Sequence, residues 1–308
     1  MAEEKKISIN NKEIVLSKPD KELFPEAGIT KSGVNDYYRK IWKYVKPYAE
    51  DRPMVLQRFP DGIDEEGFFQ KKVPVYFPEW IDTIEVDVKK ENAKEDYVNC
   101  NSEETIVYLS NQACLTMHVW LSKKKDLDKP DRMAFDFDPA DDDFEKVRKA
   151  ALTLKELLNS GNIPCFPMTT GSRGLHVIIP LKAENDFDEV RELASQIAEK
   201  VAEKDKKTFT TETSKKKRKN RVFIDYLRNA YGQTTVLPYS LRALAEAPVA
   251  VPLGWDEVND KDLQPRKYNI KNVFRRLSQK QDPWKDMYKD VPGLDDIRES
   301  IIKNNNHA

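Results

Sequence analysis

The stretch Arg132-Met-Ala-Phe-Asp136-Phe-Asp138-Pro139 constrains this chain most, because it sets two carboxylates inside an apolar run that reads as a buried strand. Alternate side chains of a strand share a face, so Asp136 and Asp138 point one way while Phe135 and Phe137 point the other. Carboxylates that close repel each other unless a cation, a proton or a basic group lies between them, and a hard divalent ion meets that need. A solvent-facing strand end, with Pro139 and Asp141 to Asp143 opening a turn, is the plainer reading of the same residues.

Downstream, Phe144, Val147, Ala150, Ala151, Leu154, Leu157 and Leu158 recur at helical spacing, with acids before them and Gly161 after. A strand from Cys165 to Thr169, the turn Thr170-Gly171-Ser172-Arg173-Gly174 and a strand from Leu175 to Pro180 follow. Gly171 and Gly174 let backbone come close to a ligand, and Ser172 and Arg173 offer a hydroxyl and a cation suited to phosphate. A plain hairpin turn accounts for the same residues equally well. Asp186 to Asp205 reads as a second amphipathic helix, and Arg221-Val-Phe-Ile-Asp225 again embeds an acid in an apolar strand. Three embedded carboxylates and a Ser/Arg/His turn match what two-metal phosphoryl transfer requires, provided the fold joins them.

The remaining segments offer weaker signals. Ser32 to Tyr48 has helical periodicity that Pro47 should end, and Lys21 and Lys31 before it could hold an anion or simply face water. Residues 52 to 77 read as short strands. Phe68 and Phe69 should face opposite ways there, beside Arg58, Lys71 and Lys72, as either a base-stacking surface or core packing. His118 lies in an apolar segment where a core histidine is the commoner case. Residues 206–221 hold eight Lys/Arg against one Glu and no apolar period, which predicts a loop. It could bind a nucleic-acid backbone, stay solvated or act as a nuclear-import signal. Asp262 to Ser278 predicts a helix, followed by polar ends.

With 52 basic against 53 acidic residues, overall charge makes no case for nucleic acid, so local clusters must carry it. Three widely spaced cysteines, Cys100, Cys114 and Cys165, suit a reducing cytoplasm and neither a disulfide scaffold nor a zinc site. No apolar run approaches a membrane span or a signal core. The expectation is a soluble cytoplasmic protein without a membrane partner.

Taken together, Asp136-Phe-Asp138-Pro139, Ser172-Arg-Gly-Leu-His176-Val and Phe223-Ile-Asp225-Tyr-Leu-Arg228-Asn229 resemble the three motifs of the archaeo-eukaryotic primase superfamily. The chain is more closely similar to the LigD-type polymerase domains of bacterial and archaeal non-homologous end joining. Asp20-Lys21, Thr30-Lys31, Arg58-Phe-Pro-Asp-Gly, Phe68-Phe69-Gln-Lys71, Met117-His118-x-Trp120 and Pro238-Tyr-Ser-Leu-Arg-Ala243 occur in the same order, so the resemblance covers roughly residues 10–290. It implies an α+β fold: a primase-like, RRM-like catalytic sheet with flanking helices and an N-terminal α/β extension. As one primase-polymerase domain over 1–308, it would comprise a DNA-end and template-binding part at 1–125, a catalytic core at 126–290 and a polar tail at 291–308.

By the same resemblance, Asp136, Asp138 and Asp225 would be catalytic and hold two divalent ions, Mn²⁺ or also Mg²⁺. His118, Ser172, Arg173, His176, Arg228, Gln233 and Arg242 would bind the nucleotide. Lys21, Lys31, Arg58, Phe68, Phe69, Lys71, Arg218 and Arg221 would bind DNA, the two lysines at a 5′-phosphate. The implied reaction adds nucleotides, ribonucleotides preferred, to primer 3′ ends at gaps or double-strand breaks. A primer-synthesising primase and a non-enzymatic end-bridging module are the alternatives. Expected partners are 5′-phosphorylated DNA ends, nucleoside triphosphates, Ku and a separate ligase and nuclease. Two positions depart from the family pattern: Gln57 stands where many members carry a basic residue, and Arg173 replaces a frequent lysine with a planar fork.

Overall fold

The computed structural model describes residues 4–303 apart from 11, 90 and 160. The chain divides into two compact units. The first comprises Met1–Trp120, Val236–Ala250 and Tyr268–Phe274, and the second Leu121–Thr235, Val251–Lys267 and Arg275–Ala308. The first unit thus takes in two later segments besides its N-terminal stretch.

In the second unit six strands form one sheet. Their order is Phe209–Thr210, Val222–Asp225, Arg132–Asp138, Leu175–Pro180, Phe166–Thr169 and Val251–Pro252. All neighbours are antiparallel except the first pair. Register sets Phe135 opposite Val177 and Phe137 opposite Leu175 and Ile224, and all five are fully buried. Helices Phe144–Asn159 and Phe187–Lys204 pack against this sheet, each burying the apolar residues that recur every three or four positions. The second begins with a capping box between Asp186 and Glu189, a device that contributes about 1 kcal/mol.

In the first unit, strands Phe68–Gln70, Met54–Arg58 and Cys114–Trp120 are antiparallel neighbours, and the strand ending at Val236 adjoins the last of them. Helix Lys31–Ala49 starts where the Thr30 hydroxyl accepts from the Gly33 amide, and Ser102 caps helix Glu103–Asn111 in the same way. The buried Tyr37 and Tyr38 hydroxyls donate to the Tyr239 and Leu115 carbonyls, which ties the long helix to the body of its unit. Two hairpins, Glu4–Ile9 with Lys12–Ser17 and Thr83–Val88 with Ala93–Val98, complete it.

Four local expectations change. Pro47 does not end its helix, which continues to Ala49 because Tyr48 and Ala49 are buried. The helix expected over 262–278 is confined to Val273–Gln279. Before it, Asn269 bridges Pro248 and the Ile270 amide donates to Ala247, so this backbone is committed to extended pairing. The stretch 291–308, expected to be a polar tail, carries helix Leu294–Lys303, whose Leu294, Ile297 and Ile301 are buried. The polar tail of the sequence reading beyond Lys303 lies outside the described residues. Within 206–221, expected to be a loop, Phe209–Thr210 pairs with Val222–Phe223 and Lys215–Arg218 forms a helical turn.

Candidate active site

Alternation along Arg132–Asp138 puts Asp136 and Asp138 on one face, and register sets Asp225 directly across from Asp136 on the neighbouring strand. Cross-strand partners have Cβ atoms roughly 5 Å apart, so Asp225, remote in sequence, becomes a neighbour of the Asp136/Asp138 pair. On the other side of Asp136 its register partner is His176. The His176 Nε2 lies 3.4 Å from Asp136 Oδ1, and its Nδ1 is buried without a hydrogen-bond partner among the described residues.

Cations surround the acids. Arg173 lies 3.2 Å from Asp138 Oδ1 and Arg218 3.8 Å from Asp138 Oδ2. Arg228 reaches both Asp136 Oδ2 at 3.7 Å and Asp225 Oδ2 at 3.4 Å. Burial and then the neighbouring Asp136 charge nevertheless push the Asp138 carboxyl above its ordinary range, against the pull of Arg173, Arg218 and Lys215. Burial is also the main cause that raises Asp225, with Arg228 opposing it and Asp136 adding to it. Carboxylates held together at such a cost are a high-energy arrangement that added positive charge would relieve.

The phosphate-suited turn is built from Thr170. Its hydroxyl accepts from the Ser172 and Gly174 amides, both at 3.3 Å, and donates to the Gly174 carbonyl at 3.2 Å. Gly171 has φ +66°, and a Cβ on Gly174 would lie 2.3 Å from the Phe137 carbonyl oxygen. Glycine at 174 is therefore demanded by the strand that bears the acids. Arg266 donates from Nε to the Ser172 carbonyl at 3.0 Å, and Ser172, Arg173 and Arg266 line a 210 Å³ cavity with Asp141 and Asp142. Arg266 carried no sequence signal, and Thr170 was legible only as part of the turn, since both act through backbone contacts. Asn229 is fully buried and clamps Ala134 through paired hydrogen bonds of 2.8 Å to its amide and carbonyl, which holds the acid-bearing strand in register.

The second unit thus joins Asp136, Asp138, Asp225, His176, Arg173, Arg218 and Arg228 in one cluster, with Ser172 at its edge. Gln233 is not among them: it lies exposed in a turn. Arg221, expected on DNA, spends Nε and Nη2 on the Arg218 and Lys217 carbonyls, and Arg218 stacks 3.7 Å over Phe223. As to metal, the donors are hard oxygens of the right chemistry. Among the described residues, however, no group of three or more His, Cys, Asp or Glu side chains gathers so as to hold an ion. The arginines occupy the carboxylates instead.

Other candidates lie in the first unit. Lys31 is nearly buried, and its Nζ donates to the Ser17 carbonyl at 2.8 Å and hydroxyl at 2.9 Å. Burial, reinforced by Lys21, Lys18 and Arg58, lowers its pKa to about 8. Lys21 pairs with Asp61 at 2.5 Å. Phe68 and Phe69 do face opposite ways, yet both are exposed, at 46% and 61%, because their strand is the sheet edge. Phe69 lies 6.0 Å from the half-buried His118, and Lys71 is exposed. Arg242 is half-buried, its amide donating to the Pro248 carbonyl. Arg58, expected on DNA, is instead buried and turned inward. Its nitrogens donate to the Gln112 carbonyl and side chain, to Gln70 at 2.7 Å and to the Tyr76 hydroxyl at 2.6 Å.

Known proteins resemble this chain over most of its length. The family described as LigD, primase-polymerase domain, matches residues 30–284. A multifunctional non-homologous end joining protein LigD of Mycolicibacterium smegmatis is 30% identical over 92% of the chain and 37% of its own length. The bifunctional LigD of Bacillus subtilis is 32% identical over 88% of the chain and 43% of its own length. The chain therefore spans about two fifths of these relatives. Among solved structures, the polymerase domain from Mycobacterium tuberculosis ligase D in complex with DNA superposes with a TM-score of 0.83 at 27% identity, over 91% of this chain and 99% of that one. No described helix is long and apolar enough to cross a membrane. The α+β architecture, the motif order and these matches agree: the chain belongs to the LigD primase-polymerase domain family.

Proposed function

We propose that the chain is a nucleotidyltransferase that adds nucleotides, ribonucleotides in preference, to primer 3′ ends at gaps or breaks in DNA, within non-homologous end joining. The observation that carries this reading is the juxtaposition of Asp136, Asp138 and Asp225 on adjacent strands beside the Thr170–Gly174 turn. The DNA in the similar Mycobacterium tuberculosis structure supports a DNA substrate here. Ku and a ligase are its proposed partners in repair.

In the reaction, the primer O3′ forms a bond to the α-phosphorus, the bond from that phosphorus to the β-bridging oxygen breaks, and pyrophosphate leaves. Once their arginine partners turn to the substrate phosphates, Asp136, Asp138 and Asp225 would hold two divalent cations, Mn²⁺ favoured and Mg²⁺ accepted. Such ions would lower the pKa of the primer hydroxyl and offset the charge that develops on phosphate. Ser172 and Arg173 would bind the triphosphate through hydroxyl and guanidinium, and the buried His176 would donate to a phosphate oxygen. Arg228 and Arg218, now paired with the acids, supply further positive charge beside the same phosphates. In the first unit, Lys21 and Lys31 would take the 5′-phosphate across the gap, and Phe69 and His118 would meet a base.

Primer extension on a 5′-phosphorylated gapped duplex tests the reading, with Mn²⁺ against Mg²⁺ and NTP against dNTP. The expected result is addition that is strongest with Mn²⁺ and NTP. Asp136→Ala should lower the rate at least about 100-fold while leaving end binding in place. No addition by the wild-type chain under any of these conditions, with DNA binding retained, would leave an end-binding module. Synthesis without a primer would point to a primase.

A further inference from the structure

Arg266 has acids within its own cavity and does not pair with them. It lies exposed on the 260–267 loop of the second unit and lines the 210 Å³ cavity together with Asp141 and Asp142. Asp141 is taken by Lys146 at 2.7 Å, and Arg266 forms no ion pair among the described residues. Its Nε donates instead to a neutral acceptor, the Ser172 carbonyl, at 3.0 Å. The loop that presents it is itself anchored: Leu263 is buried, and Asp260 accepts from the Asp262 amide at 2.9 Å and from the Lys267 ammonium at 3.0 Å. A single bond from an exposed side chain adds little to folding, so its effect lies in what the carbonyl controls.

A trans peptide points its N–H opposite to its C=O. With the Ser172 carbonyl held toward Arg266, the Arg173 amide faces the other way. Two further amides of the turn, those of Ser172 and Gly174, point inward to the Thr170 hydroxyl. The amides of Gly171 and Arg173 have no acceptor among the described residues, and Gly171 at φ +66° has the left-handed backbone found in anion-binding nests. Thr170 thus fixes the turn from inside and Arg266 from outside.

We propose that Arg266 is a positioning residue for nucleotide binding. By holding the Ser172 carbonyl it fixes the Ser172–Arg173 peptide, so that the Arg173 amide and guanidinium are presented together to the triphosphate, while Arg266 itself does not touch the nucleotide. The proposal deepens the polymerase reading and rests on it.

The test compares three substitutions in the full chain that differ at the position of Nε. Glutamine puts a neutral N–H donor the same number of bonds from Cα, methionine puts a methyl group there, and lysine keeps the charge but moves the donor one atom outward. ATP affinity by calorimetry and the KM for ATP in primer extension should both worsen about 5-fold or more in Arg266→Met, with kcat within about 2-fold of wild type; Arg266→Gln should recover most of the loss. Wild-type affinity and KM in Arg266→Met, or equal losses in Arg266→Gln and Arg266→Met, would overturn the proposal and spare the polymerase reading. Full rescue by Arg266→Lys without rescue by Arg266→Gln would also overturn it, making Arg266 a direct charge contact to phosphate. A wild-type chain that binds ATP but extends no primer would defeat the polymerase reading, and the affinities of the variants would then decide the role of Arg266 alone. A wild-type chain that neither binds ATP nor extends primers would sink both.

Discussion

Lys31 shows how much one residue's meaning depends on where it is buried. A surface lysine stays charged far above neutrality, but burial among Lys21, Lys18 and Arg58 brings this one to about 8. The lowered value means that folding disfavours its charged form. The penalty is present in full at neutral pH, and stability should rise as pH climbs from about 8 toward the ordinary lysine range. A phosphate bound there works in the opposite direction, since it favours the ammonium. Affinity for 5′-phosphorylated ends should therefore fall by up to about tenfold per pH unit above 8, whereas Lys31→Arg should flatten that slope. Titrations of phosphorylated and unphosphorylated ends between pH 7 and 9.5 check this, and a pH-independent preference for the phosphate would remove Lys31 from the site. Arg58 makes the complementary point. A cation beside aromatics reads as a nucleic-acid contact, but its nitrogens serve Gln70, Gln112 and Tyr76 within the fold.

Among the elements, the turn between Phe166–Thr169 and Leu175–Pro180 is set by the strand it leans on. Glycine at 174 leaves room for the Phe137 carbonyl, and backbone atoms cannot rotate away from an added methyl. Gly174→Ala should cost about 1–3 kcal/mol in denaturant unfolding and raise the KM for nucleotide, because the Thr170 bonds that shape the turn move with it. Wild-type stability and an unchanged KM would show that the turn is looser than its contacts indicate. Helix periods and strand alternation were readable here from residues alone: the Asp136/Asp138 face, the helices after Phe144 and Asp186, and the opposed Phe68 and Phe69. The basic segment 206–221 was not, since its short strand exists only by pairing with Val222 and Phe223.

For the whole molecule, the C-terminal helix matters more than its polar composition indicates. Leu294, Ile297 and Ile301 are buried, and the helix packs on the two helices that cover the catalytic sheet. Removing the chain from Gly293 onward should lower unfolding free energy by about 5 kcal/mol, from three apolar side chains at roughly 1.5–3 kcal/mol each. Chemical denaturation of the truncated protein checks it, and a loss below about 1 kcal/mol would make the helix an ornament of the fold.

Strand alternation and motif order by themselves determined that three acids lie in apolar strands and that the chain resembles primase-type polymerases, because faces and propensities are local properties. Tertiary structure alone decided that Asp225 sits across from Asp136, that Arg228 bridges them and that Arg58 holds Tyr76. Register, desolvation and ion pairing depend on which distant strands become neighbours, and no local pattern encodes that distance.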